Sequence, residues 1–165
     1  LMTNKAAIME ENAKDMKAAE EKGISAPVMK RLRFDDAKLA DVLSGIKSLI
    51  GLPDPLNRQL LKRELDSDLL LVKESCPIGV IGVIFEARPD AMVQVSTLCV
   101  KSGNCVILKG GSEAKLTNRK LFSVIRDAAV SAGLPASAMM LAETHDDIDQ
   151  LLGCNDSIDL LIPRG

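Results

Sequence analysis

Two short stretches carry the residue types needed to hold an anionic ligand. Lys109-Gly110-Gly111-Ser112 offers a cation, two glycines whose backbone N–H groups can approach a ligand closely, and a hydroxyl. A sugar phosphate needs these groups. The same stretch also reads as a tight turn with a solvated lysine. Glu86-Ala87-Arg88-Pro89 sets opposite charges side by side. It reads either as a local ion pair near a helix start, worth about 1 kcal/mol or less if exposed, or as an anion or substrate site.

Other chemistry finds less support. Cys76, Cys99, Cys105 and Cys154 form no CxxC and no metal-ligand spacing with the single His145, so no metal site is expected. Cys99 and Cys105 fall within apolar patterns and read as buried thiols, and neither Cys76 nor Cys154 has a sequence neighbour that would activate a thiolate. His145, in the acidic run Glu143-Thr-His-Asp-Asp147, reads as a surface residue. Neither GxGxxG nor GxxxxGK[ST] occurs, and Gly79 and Gly82, inside a strand, point to close packing rather than to a ligand.

The two stretches need elements to position them. An apolar strand, Gly79 to Phe85, runs into the Glu86 corner, and a helix opens at Pro89 with Asp90 in its first turn and ends at Gly103. A second strand, Cys105 to Leu108, runs into the lysine turn, and a helix follows from about Glu113 to Ala132, with Leu121, Val124, Ile125, Ala128 and Ala129 on one face. Strand Met139 to Ala142, helix Asp146 to Leu152 and strand Ile158 to Ile162 complete the pattern, with Pro163-Arg164-Gly165 beginning a loop. Alternating strands and helices with polar and glycine residues at strand carboxyl ends predict a parallel nucleotide-binding sheet, ligands lying just beyond those ends.

Upstream, three helices are expected: residues 1 to 22, one opened by Ser25-Ala26-Pro27, and one from Asp35 and Asp36 with Leu39, Val42, Leu43, Ile46, Leu49 and Ile50 on its apolar face. Leu60 to Leu65 and Leu69 to Ser75 predict a hairpin turned by Asp66-Ser67-Asp68. Its destination, another part of the protein or another subunit, stays open.

Charge is nearly balanced, 21 basic against 23 acidic residues, which argues against nucleic acid or an anionic membrane as partner. The longest apolar runs are strand-length, too short to span a bilayer. The thiol content suits a reducing cytoplasm. With no Trp or Tyr and three Phe the core is aliphatic, as strands buried on both faces of a parallel sheet require.

Four segments, PIGVIGVIFEARPDA, SGNCVILKGGSEA, AGLP and IDLLIPRG, resemble the γ-glutamyl phosphate reductase family of the aldehyde dehydrogenase superfamily in order and spacing. The resemblance spans essentially the whole chain and is loose over residues 1 to 68. It implies an α/β, aldehyde-dehydrogenase-like fold: a parallel Rossmann-type sheet flanked by helices, with an N-terminal helical segment (1–59), a β-hairpin of possible oligomerisation use (60–76) and the first part of an NADP-binding domain (77–165). It also implies NADPH-dependent reduction of L-glutamyl 5-phosphate to glutamate 5-semialdehyde in proline biosynthesis, in the cytoplasm, by a homo-oligomer functionally coupled to glutamate 5-kinase. The family's nucleophilic cysteine is expected downstream of Gly165, so the 165 residues are expected to be an inactive portion of a longer enzyme.

Carried over by position, Ile84 and Phe85 match the strand end along the cofactor, Lys109 the lysine on the adenosine ribose, Gly110, Gly111 and Ser112 the turn beside it, and Pro163, Arg164 and Gly165 a loop on the nicotinamide side. A hydroxyl at Ser112, where NAD-preferring relatives often carry glutamate, favours NADP, since a carboxylate would repel a 2′-phosphate. Glu86 and Arg88 become candidates for the substrate side. Two departures stand out: Ala87 replaces an asparagine that donates to the reacting oxygen, and the turn after Ala142 is acidic rather than glycine-rich. Alternatives are the reductase half of a bifunctional pyrroline-5-carboxylate synthase and a non-catalytic nucleotide-binding or assembly module.

Overall fold

The computed structural model describes residues 1–154 and 156–164; the side chain of His145 also lies outside the described residues. The elements run α1 (Lys5–Glu21), α2 (Ala26–Leu32), α3 (Asp36–Gly51), β1 (Gln59–Asp66), β2 (Leu69–Glu74), β3 (Val80–Phe85), α4 (Pro89–Lys101), β4 (Cys105–Lys109), α5 (Lys115–Ser131), β5 (Met139–Ala142), α6 (His145–Gly153) and β6 (Leu160–Arg164). Four parallel strands form one sheet in the order β5-β4-β3-β6, and β1 pairs with β2 as a separate antiparallel ribbon.

Glycines allow the close approaches in the sheet. A Cβ on Gly82 would come 2.7 Å from Leu161 Cδ1, and one on Gly79, at φ 129, would meet the Asp159 carboxylate. That carboxylate accepts from Val80 N at 2.8 Å, which pins β6 beside β3. The packing reading of these glycines therefore holds.

One face of the sheet is covered by α4 and α5, with α1 and α3 outside them. Ile81, Val83, Phe85, Val106 and Leu108 meet Met92, Val93, Leu121 and Phe122 in the main core, and Ile8 and Phe34 close it from the N-terminal helices. Full burial of a side chain such as Met92 or Leu108 is worth about 1.5–3 kcal/mol. On the other face, Val80, Cys105, Ile107 and Met140 look across a groove at Gln150, Leu151 and Cys154 of α6 and the residues after it.

α1 docks on α5 through polar groups. Ile8, Asn12, Asp15 and Ala19 form its buried stripe. Asp15 accepts from the N–H groups of Leu116 (3.2 Å) and Thr117 (2.8 Å) and from the Thr117 hydroxyl (2.6 Å). It serves as a cap, supplied from another helix, for the exposed donors in the first turn of α5. Asn12 donates to Leu32 O and Thr117 Oγ1 and accepts from Phe34 N, which ties α2 and the following loop into the same network.

The structure corrects several boundaries. Pro163 and Arg164 are not in a loop; they continue β6, paired with Ile84 and Phe85. Among the described residues β6 pairs with β3 alone. Ser112–Ala114 is a 3-10 turn that precedes α5 rather than its first α-helical turn. Ile50 is 72% exposed and leaves the apolar face of α3, which ends at the half-buried Leu49, and Ala128 is exposed on α5. Cys105 is half-buried rather than buried.

Candidate functional site

The register gathers the candidate residues along one edge. Ile84 aligns with Lys109 on one side and Pro163 on the other, and Lys109 aligns with Ala142. The carboxyl ends of all four strands therefore terminate in one row, and the turns carrying Glu86 to Arg88, Gly110 to Ser112 and Glu143 follow it.

The lysine turn is not a solvated turn. Lys109 is 6% exposed, and its Nζ donates to Gly110 O at 2.9 Å. Gly110 is required here: an added Cβ would lie 2.1 Å from Asn118 Nδ2 and 3.3 Å from the Phe85 ring. Asn118 is buried and its Oδ1 has no hydrogen-bond partner among the described residues. Ser112 is exposed at the rim, and Lys115, Asn118, Leu141 and Glu143 wall a small cleft over the turn.

Glu143 and the start of α6 form the far wall. Arg119 grips the Glu143 carboxylate through Nε (2.7 Å) and Nη2 (2.6 Å), and Lys115 Nζ lies 3.8 Å away. The Arg119 hydrogen bonds hold the Glu143 carboxyl below its ordinary range. Asp147 accepts from the backbone N–H groups of Glu143 (2.7 Å) and Thr144 (2.8 Å), while Thr144 Oγ1 accepts from Asp147 N at 3.1 Å. These hydrogen bonds lower the Asp147 carboxyl. The capping box satisfies donors that a glycine-rich turn would leave for a ligand.

At the other corner, Ala87 is 1% exposed with φ 23, a left-handed conformation that costs a non-glycine residue about 1–3 kcal/mol. The Glu113 carboxylate accepts its N–H. Arg88 makes no ion pair with Glu86 among the described residues. It occupies the N-cap of α4 with Lys38 close enough to repel it. Burial lowers Lys38, against the pull of Asp90, whose Oδ1 lies 3.8 Å from Nζ. Lys38 was missed because a lysine on a helical stripe reads as solvated.

No family model matches the chain. The γ-glutamyl phosphate reductase of Ruminiclostridium cellulolyticum is 53% identical over 165 residues, which are all of this chain and 38% of that protein. The crystal structure of the Saccharomyces cerevisiae γ-glutamyl phosphate reductase superposes with a TM-score of 0.94 at 38% identity, covering 100% of this chain and 42% of that one. Along its whole length the chain is similar to γ-glutamyl phosphate reductases. An acetylating aldehyde dehydrogenase of Geobacillus thermoglucosidasius shares the fold at 15% identity, with a TM-score of 0.61 over 94% of this chain and 33% of its own. The chain spans about two fifths of the length of the curated γ-glutamyl phosphate reductases it matches.

Ile84, Phe85 and Lys109 end their strands at one sheet edge, with Gly110, Gly111 and Ser112 in the turn that follows Lys109; Pro163 and Arg164 reach the same edge as part of β6 rather than of a loop, and Gly165 lies outside the described residues. Sequence reasoning overlooked Asn118, Glu113 and Lys115. The clue for Asn118 was its place one helical turn into α5, above a double glycine.

Proposed function

We propose that the chain forms part of an NADPH-dependent γ-glutamyl phosphate reductase, converting L-glutamyl 5-phosphate to glutamate 5-semialdehyde in proline biosynthesis. The row Ala142–Lys109–Ile84–Pro163 at the strands' carboxyl ends carries the reading, because open parallel sheets bind dinucleotides there. Polar groups suited to such a ligand face the turn. The orphaned Asn118 Oδ1 offers an acceptor, and Lys109 and Ser112 supply donors.

When bound, NADPH supplies a hydride. Lys109 would hold the adenosine ribose, Ser112 would donate to the 2′-phosphate, and the strand end Ile84–Phe85 would lie along the cofactor, the Phe85 ring itself staying in the core. Pro163 and Arg164, and Gly165 beyond them, belong to its nicotinamide side. Arg88 attracts an anionic group of L-glutamyl 5-phosphate, with Glu86 beside it. The capping box at Thr144 leaves the pyrophosphate to other donors. The nucleophilic cysteine is supplied from elsewhere in the longer enzyme: Cys99 is buried and its thiol pushed up by that burial, the reverse of activation.

The boundaries proposed are a helical segment 1–59, the hairpin 60–76 and the cofactor region 77–165. The hairpin is an assembly element of a homo-oligomer, since every residue of β1 and β2 is exposed, leucines included. No helix of the described residues is long and apolar enough to cross a membrane, and the free thiols suit a cytoplasmic enzyme fed by glutamate 5-kinase.

Calorimetric titration of the full-length protein with NADPH and NADH tests the reading. Tighter NADPH binding that weakens by about tenfold in Lys109→Ala is expected. Equal binding of both cofactors, or no effect of the substitution, would remove the site.

A further inference from the structure

The turns that end β3 and β4 are joined by one side chain. Glu113, in the 3-10 turn after Lys109-Gly110-Gly111, accepts the N–H of Ala87 in the corner after β3. Gly111 makes this reach possible. An added Cβ there would come 2.1 Å from Glu113 Oε1 and 2.5 Å from its Cδ, so the carboxylate folds back across a backbone that carries no side chain.

The corner has reason to need the bond. Ala87 is buried at φ 23, where alanine does not rest by preference. The next residue, Arg88, is the N-cap of α4 with φ −137 and ψ 80. Its direction therefore depends on the Ala87 conformation. A carboxylate acceptor gives a stronger and more directional hold than a neutral one.

We infer that Glu113 is a positioning residue for the substrate side of the site, fixing the Glu86–Arg88 corner from the cofactor turn. The inference rests on the γ-glutamyl phosphate reductase reading for its kinetic consequence and on geometry alone for its structural one. An acid in the first turn before α5 could act merely on the helix dipole. That alternative predicts an effect on α5 and the lysine turn and none on the corner.

The test uses the full-length enzyme, with Glu113→Ala and Glu113→Gln made in the native and the Ala87→Gly backgrounds. In Glu113→Ala the KM for L-glutamyl 5-phosphate should rise by about tenfold while the NADPH Kd stays within about twofold. Glutamine, whose amide oxygen still accepts, should recover most of the loss. Glycine adopts positive φ without help, so in the Ala87→Gly background the loss should shrink to about twofold.

A rise in NADPH Kd with an unchanged substrate KM would overturn the inference, and so would an equal loss in both backgrounds. Should Glu113→Ala fail to fold, Gly111→Ala displaces the same carboxylate, and an unchanged substrate KM there would overturn it. Amide exchange separates this inference from the activity itself. Glu113→Ala should expose the Ala87 N–H to exchange whether or not the native enzyme reduces the acyl phosphate, and retained protection would count against the strap alone.

Discussion

Asp15 and Thr117 meet twice: one carboxylate oxygen accepts both the backbone N–H and the hydroxyl of the threonine, at 2.8 and 2.6 Å. Thr117 is fully buried and Asp15 is 5% exposed. The pair joins the first helix to the helix that follows the lysine turn.

Replacing Asp15 by alanine strands the Leu116 and Thr117 N–H groups and the Thr117 hydroxyl in the interior. Destabilisation of about 3 kcal/mol is expected, read as a lowered urea midpoint at unchanged slope. Asp15→Asn keeps one acceptor and should lose less. Equal losses in the two variants would mean that packing, not capping, sets the cost.

Gly110 leaves no room for a side chain. Its added Cβ would collide with the buried Asn118 amide. Gly110→Ala should destabilise the chain by about 1–3 kcal/mol and weaken NADPH binding together with it. Thermal melts and calorimetry on one preparation would show both, and a variant that melts like the native chain would refute the crowding argument.

Glu143 gives a pH signature. Its folded-state carboxyl lies below the ordinary value of 4.5 because Arg119 bonds to it. The pair's stabilisation is therefore complete above that value and fades as pH falls through the lowered one. Removing Arg119 by alanine substitution should lower the urea midpoint slightly at pH 7, and the gap from the native chain should close at acid pH. Arg119 is exposed and Glu143 half-buried, so added salt should shrink part of the gap as well. A gap that widens on acidification would contradict the assignment.

The hairpin can be tested by charge. Leu61 pairs with Lys73 and Arg63 with Leu71, which sets Leu61 and Leu71 on one face of the ribbon. Both are 44% exposed. The double variant Leu61→Glu, Leu71→Glu in the full-length enzyme should lower the assembly mass by light scattering. Unchanged mass would remove the hairpin from the assembly contact.

Local signals in the sequence reached far into this fold. Pro27 and Pro89 mark helix starts, Gly23, Gly103 and Gly133 mark helix ends at positive φ, and the β-branched runs mark β3 and β4. The lysine turn stood out because a cation, two glycines and a hydroxyl are the residue types an anion needs. What stayed hidden depends on contacts between distant residues. Asn12 and Asp15 share the i, i+4, i+7, i+11 stripe of Ile8 and Ala19, but polarity masked the pattern until Thr117 was opposite them. Glu113 looks like an ordinary helix-start acid unless Ala87 is known to be left-handed. Pro163 reads as the start of a loop, and only its pairing with Ile84 puts it in β6.

The cap on α5 also fixes an order of events during synthesis. Asp15 and Thr117 are 102 residues apart, and ribosomes add about 5–20 residues per second. The first helix thus emerges roughly 5–20 s before the backbone it will cap exists. Through that interval the face of α1 that packs on α5 has no partner and Asp15 stays hydrated. Docking of α1 is then a late step in the birth of the protein, and the nascent N-terminal helices offer a chaperone a window that closes only when Thr117 arrives.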